Sequence, residues 1–123
     1  MTIALWCVLI AGLLPYLATV TAKAGARFDN HSPREWLARQ EGYRKRANAA
    51  QANAFEAFPL FAVAVIVAFL LQAPQAKVDM LAMGFVAARV VYFGCYLADW
   101  AAVRSIAWLA GIGCSVAIFV AAS

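Results

Sequence analysis

The chain has 123 residues, of which 66% are hydrophobic and only 13% charged. An ordinary soluble domain carries about 25% charged residues, and one this small has too much surface per volume to hide so much apolar area from water. The formal net charge is +4, but seven of the ten Lys and Arg residues fall between Lys23 and Arg46, which makes a basic loop and not the basic surface of a nucleic-acid-binding protein.

A bilayer resolves the excess of apolar surface, and each spanning helix needs about 20 mostly apolar residues. The first such run extends from about Thr2 to Ala22 without a charge. Pro15 lies inside it, which a membrane helix tolerates because neighbouring groups satisfy the freed carbonyl. No basic n-region precedes this run, and it is long for a signal-peptide core, so it reads as a retained span. Residues 23–46 form the polar loop. Within it, Ser32-Pro33-Arg34-Glu35 is a helix-start pattern, with Ser32 as cap, Pro33 in the first position and Glu35 closing a capping box. Trp36, Leu37, Arg39, Tyr43 and Arg44 follow, the composition of a short helix lying at the interface.

The second span runs from about Ala47 to Gln72, with Asn48, Gln51, Asn53 and Glu56 near its start and Pro59 expected to bend it. Pro74 ends it. The short link from Gln72 to Lys77 makes spans two and three antiparallel neighbours. The third span, Val78 to Leu97, carries Arg89, Tyr92 and Tyr96, and Asp99 and Trp100 mark its interface. The fourth, Val103 to Ala121, has Arg104 and Trp108 near its start. The fold class is therefore an all-α membrane protein, a bundle of four transmembrane helices. Cys7, Cys95 and Cys114 sit in apolar stretches with no CxxC spacing, and they read as core residues with neither a disulfide nor a metal role. His31 is the only histidine and reads as a surface residue. Lys and Arg in short loops favour the cytoplasm, which places the loop inside the cell and both termini on the non-cytoplasmic side.

A charge at the centre of a span costs about 2.5–3.5 kcal/mol on insertion scales and persists only with a partner. Glu56 lies nine residues beyond Ala47, and Arg89 eight before Leu97. Both are thus about 12–14 Å from the cytoplasmic edge, and the expectation is a Glu56–Arg89 ion pair. Asn53 and Glu56 share a helical face, as do Arg89, Tyr92 and Tyr96, with Arg46 and Arg104 at the mouth. Such a set suits a zwitterionic or anionic ligand. The plainer alternatives are a structural clamp, interfacial tyrosines and a snorkelling Arg104.

The stretch from Arg46 to Phe61, with Gln51-x-Asn53-x-x-Glu56 and then Pro59-x-Phe61, resembles the signature of the MAPEG family, membrane-associated proteins in eicosanoid and glutathione metabolism. Asn30-x-x-Pro33-Arg34 and Arg89-x-x-Tyr92-x-x-x-Tyr96 resemble bacterial-type members of the same family. The resemblance implies a homotrimer of four-helix subunits in the bacterial inner membrane, with glutathione at subunit interfaces in the cytoplasmic half. By position it implies glutathione binding by Gln51, Asn53, Glu56, Tyr92 and Tyr96, and Arg89 at a basic position near the site and Arg46 at the mouth complete the expected glutathione-binding set. Arg104 resembles the arginine that activates the thiol. Glutathione would be a co-substrate, with no bound cofactor and no metal, and the other substrate a lipophilic molecule from the bilayer. Ala49 and Ala57 stand where enzymes of the leukotriene-synthase type carry arginine and tyrosine. The function implied is a glutathione-dependent transferase or peroxidase. The alternative is a non-catalytic relative in which a Glu56–Arg89 pair is structural.

Overall fold

A computed structural model describes residues 1–123. It contains helices only: α1 (Ile3–Lys23), α2 (Pro33–Ala38), α3 (Gly42–Leu70), α4 (Gln75–Leu97) and α5 (Ala101–Ala122). Four of them, all but α2, are long and apolar enough to cross a membrane. The expected four-helix membrane bundle is therefore what the chain forms.

Small residues set how closely the helices approach. The buried side of α1 is Ala4, Cys7, Ala11, Pro15, Ala18 and Ala22, at spacings of three or four. On α5 the buried positions are Ala107, Gly111, Ser115 and Ile118. Between apolar helices in lipid there is no hydrophobic driving force, so close van der Waals packing over small side chains takes its place. The large residues fill what remains: Phe61 of α3 and Phe85 of α4 stack with centroids 3.9 Å apart and planes within 4°. The most extensive packing is of α1 on α3 and of α4 on α5. Long exposed side chains such as Leu13, Ile66 and Ile106 cover the outside, as suits a surface solvated by lipid.

The two tight turns close in the same way. After α3, Gln72 takes φ 56°, the amide of Ala73 donates to the carbonyl of Ala68, and that of Gln72 to Phe69. After α4, Asp99 takes φ 61°, with Trp100 donating to Cys95 and Asp99 to Tyr96. Both are Schellman closures, which satisfy otherwise free carbonyls at a helix end. They make α3, α4 and α5 run alternately up and down.

Arginines close the remaining ends. Arg44 Nη1 donates to the Ala22 carbonyl at 3.0 Å, capping α1. Arg46 donates through Nε and Nη2 to the Leu97 carbonyl at 3.2 and 3.1 Å, capping α4. These bonds hold the start of α3 beside the ends of α1 and α4, at what is called here the loop end. At the opposite end, Asp79 Oδ1 accepts from the Ala4 amide at 2.9 Å and from Gln75 Nε2 at 2.6 Å.

Two local expectations change. α3 begins at Gly42, not Ala47, and continues without a break through Pro59 to Leu70. The basic run Tyr43–Arg46 is thus helical, because Arg44 and Arg46 are anchored by carbonyls that the rest of the bundle presents. Helix α2 forms where Pro33 predicts, yet Ser32 makes no capping bond. Its inner residues Trp36 and Leu37 are buried with Ala22 and Ala47, so packing, with Phe28 edge-on to Trp36 at 5.1 Å, holds it down.

Candidate functional site

The polar residues of α3, α4 and α5 meet near the loop end as one connected set. Arg89 of α4 is only 5% exposed. Its Nη2 donates to Asn53 Oδ1 of α3 at 2.7 Å, and its guanidinium lies 4.2 Å from the Tyr92 ring centroid. Tyr92 meets Tyr96 edge-to-face, with centroids 5.6 Å apart at 68°. The Arg104 guanidinium of α5 then lies 4.5 Å from the Tyr96 ring. The order is amide, cation, ring, ring, cation, and it crosses three helices.

Helix geometry explains why these side chains meet. Arg89, Tyr92 and Tyr96 follow one face of α4 at spacings of three and four. Ala50 and Ala107, both small and buried, let α3 and α5 close around Tyr92. Tyr92 is 6% exposed, so it is a packed residue and not an aromatic of the membrane interface. Arg104 occupies the first turn of α5, where a cation opposes the positive end of the helix dipole. Nothing local favours a cation there, and the Tyr96 ring is what it faces. The guanidinium and the helix end together make this rim electropositive.

The expected Glu56–Arg89 ion pair does not form within the chain. Arg89 takes Asn53 instead, and Glu56 is exposed. Successive residues turn by about 100°, so Glu56 stands about 60° around α3 from Asn53. Asn53 faces the α4 interface and Glu56 falls on the open flank beside it. A neutral amide also satisfies a guanidinium proton without requiring a second charge to leave polar surroundings. The structural alternative loses its ion pair as well: within the spans the side-chain bond between α3 and α4 is Asn53–Arg89, while Arg46 joins the same two helices at the loop end.

The remaining candidates divide further. Arg46 is close to the rim but binds the Leu97 carbonyl. Gln51 lies about 140° around α3 from Glu56, in a separate cleft of about 290 Å³ that it shares with Arg34, Leu37, Asn48, Ala52 and Phe55. Arg34 and Asn48 are the polar members that sequence reasoning did not place in a site. The five-residue step between Gln51 and Glu56 was the available sign that the two faces differ. Ala49 and Ala57 are both half-buried, and Ala57 packs against the main apolar core.

Chemically, the connected set offers a fixed cation at Arg104, two phenol groups and an adjacent free carboxylate at Glu56. Such a set has groups that could pair with both signs of charge. No group of histidine, cysteine and acidic side chains is arranged to hold a metal ion.

Comparison with curated proteins and with solved structures found no match. The family model described as the MAPEG family matches residues 3–123. The match takes in all four membrane helices, the loop with α2 and every residue of the polar set; the chain belongs to the MAPEG family.

Proposed function

We propose that this protein is a glutathione-dependent membrane transferase or peroxidase acting on lipophilic electrophiles, and that it works as a homotrimer. The observation that carries the reading is the arginine at the rim of the polar set, with Arg104 on the ring of Tyr96 and the unpaired carboxylate of Glu56 nearby. Glutathione is a zwitterion with two carboxylates, an ammonium group and a thiol. Glu56 suits the ammonium group, and the arginine-rich rim suits carboxylates. The thiol is a weak nucleophile until it ionises. A guanidinium does not lose its proton, so beside the thiol it favours the thiolate, and the thiol proton passes to water. The thiolate then displaces a leaving group from an electrophilic carbon and forms a C–S bond. With a hydroperoxide it breaks the O–O bond to give an alcohol and a sulfenic acid, which a second glutathione resolves to a disulfide and water.

Family membership supports this reading, as does the distribution of the polar residues. Gln51 and Glu56 point about 140° apart on one helix, so one copy does not close around a ligand with both. An adjacent copy bringing its Gln51 cleft to the Glu56 flank would do so. An exposed carboxylate on a membrane helix also calls for a partner. Lys and Arg in short loops favour the cytoplasm, which supports a cytoplasmic loop end, where glutathione is available; the proposal puts both termini on the far side of a bacterial-type inner membrane.

The test is ultraviolet difference absorbance of the purified protein on adding glutathione. A thiolate band is expected, absent in Arg104→Ala. The absence of a thiolate in the native protein, together with no conjugation of a general electrophile, would overturn the reading.

A further inference from the structure

The interaction between Tyr96 and Arg104 assigns Tyr96 a task that sequence similarity does not. We propose that the face of the Tyr96 ring is the element that positions the Arg104 guanidinium, making Tyr96 a positioning residue for thiol activation. This rests on the reading of Arg104 as the thiol-activating group.

Three observations carry it. The Arg104 side chain has no hydrogen-bond acceptor or carboxylate within the chain; what its guanidinium contacts is the Tyr96 ring, 4.5 Å from the centroid. Arg46, by contrast, is fixed by two bonds to one carbonyl, and Arg89 by Asn53. An ion pair would anchor Arg104 more firmly but would cancel the positive field that a thiolate needs. A ring face holds a cation and leaves its charge uncompensated. Finally, the Tyr96 ring is itself held. Tyr92 meets it edge-to-face at 5.6 Å, Tyr92 lies under the Arg89 guanidinium at 4.2 Å, and Arg89 is tied to Asn53. The buried end of the set thereby fixes the orientation of its exposed end.

The ring face and the hydroxyl of Tyr96 are separable. Tyr96→Phe keeps the face and removes the hydroxyl, whereas Tyr96→Leu removes both while keeping apolar bulk. A cation–π contact at a partly exposed site contributes about 0.5–1 kcal/mol, which corresponds to a factor of about two to five. In Tyr96→Leu the thiol of bound glutathione should therefore ionise at higher pH, with two- to five-fold less thiolate at a pH below its midpoint. Tyr96→Phe should keep the native pH profile and at most need more glutathione to reach it. A second readout needs no glutathione. The rate at which phenylglyoxal modifies Arg104, followed by peptide mass spectrometry, should rise two- to five-fold in Tyr96→Leu and not in Tyr96→Phe, with Arg39 as internal reference.

If the native protein forms no thiolate and conjugates no general electrophile, the proposed function fails, and the phenylglyoxal rates still decide whether Tyr96 holds Arg104. If Tyr96→Leu folds, as judged by native-like helicity and thermal transition, and leaves both readouts unchanged, the positioning role is overturned. If Tyr96→Leu does not fold, Tyr96→Ser and Tyr96→Trp replace it. Tryptophan, the strongest cation–π partner, should slow modification of Arg104 and serine should speed it; equal rates would overturn the proposal.

Discussion

Asn53 offers Arg89 a neutral acceptor at 2.7 Å, and that single bond joins α3 to α4 inside the membrane. Replacing Asn53 by leucine leaves the guanidinium of Arg89, a residue only 5% exposed, without that acceptor. The expected cost is about 1–3 kcal/mol, the range for hydrogen bonds to charged groups tempered by the smaller values found between membrane helices. Thermal unfolding in detergent checks this, with Asn53→Asp expected to retain most of the stability because a carboxylate accepts the same proton. A null effect of Asn53→Leu would mean that the bond does not hold α3 to α4. The residues of this contact were visible in the sequence, but the choice of Asn53 over Glu56 was not. Both are polar, one turn apart and at nearly the depth of Arg89, and only the rotation of α3 against α4 decides which of them faces it.

The ends of the helices are where the chain departs most from its local signals. Gln72 and Asp99 occupy the left-handed region at φ 56° and 61°, where glycine is the usual residue. Left-handed backbone costs an ordinary L-residue about 1–2 kcal/mol, somewhat less for Asp. Glycine loses more entropy on folding, which offsets part of that gain. Gln72→Gly should therefore stabilise the protein by about 0.5–1 kcal/mol, seen as a higher unfolding midpoint in detergent, and Asp99→Gly by less. A lower midpoint in Gln72→Gly would show that the side chain itself contributes at the turn. The turn at Pro74 was legible because proline stops a helix, whereas the closures at Gln72 and Asp99 lacked their glycine marker. Similarly, the five residues that α3 adds before Ala47 carry no apolar signal. They are helical because Arg44 and Arg46 reach carbonyls on two other helices, and no window of local sequence contains those partners.

At the scale of the molecule, one chain presents two polar faces that it does not itself join. One is the set from Asn53 to Arg104 with Glu56 on its flank, and the other is the cleft of Arg34, Asn48 and Gln51. If copies unite these faces, native mass spectrometry from a mild detergent should show a species of three chains, and glutathione should raise its thermal stability. Glu56→Gln should weaken the glutathione response more than Gln40→Ala, whose side chain only caps the Trp36 carbonyl. A strictly monomeric protein that still formed the thiolate would remove the trimer from the proposal without removing Arg104. The sequence by itself determined the membrane, the number of spans and the end of the bundle that holds the polar residues. Those follow from hydrophobic run length and residue depth, which are properties of each helix alone. Only the tertiary structure decided the partners: Asn53 for Arg89, the Leu97 carbonyl for Arg46, the Tyr96 ring for Arg104, and none for Glu56. Pairing depends on how each helix is rotated against its neighbours, and that rotation is set by Ala, Gly and Phe packing distributed over all four spans.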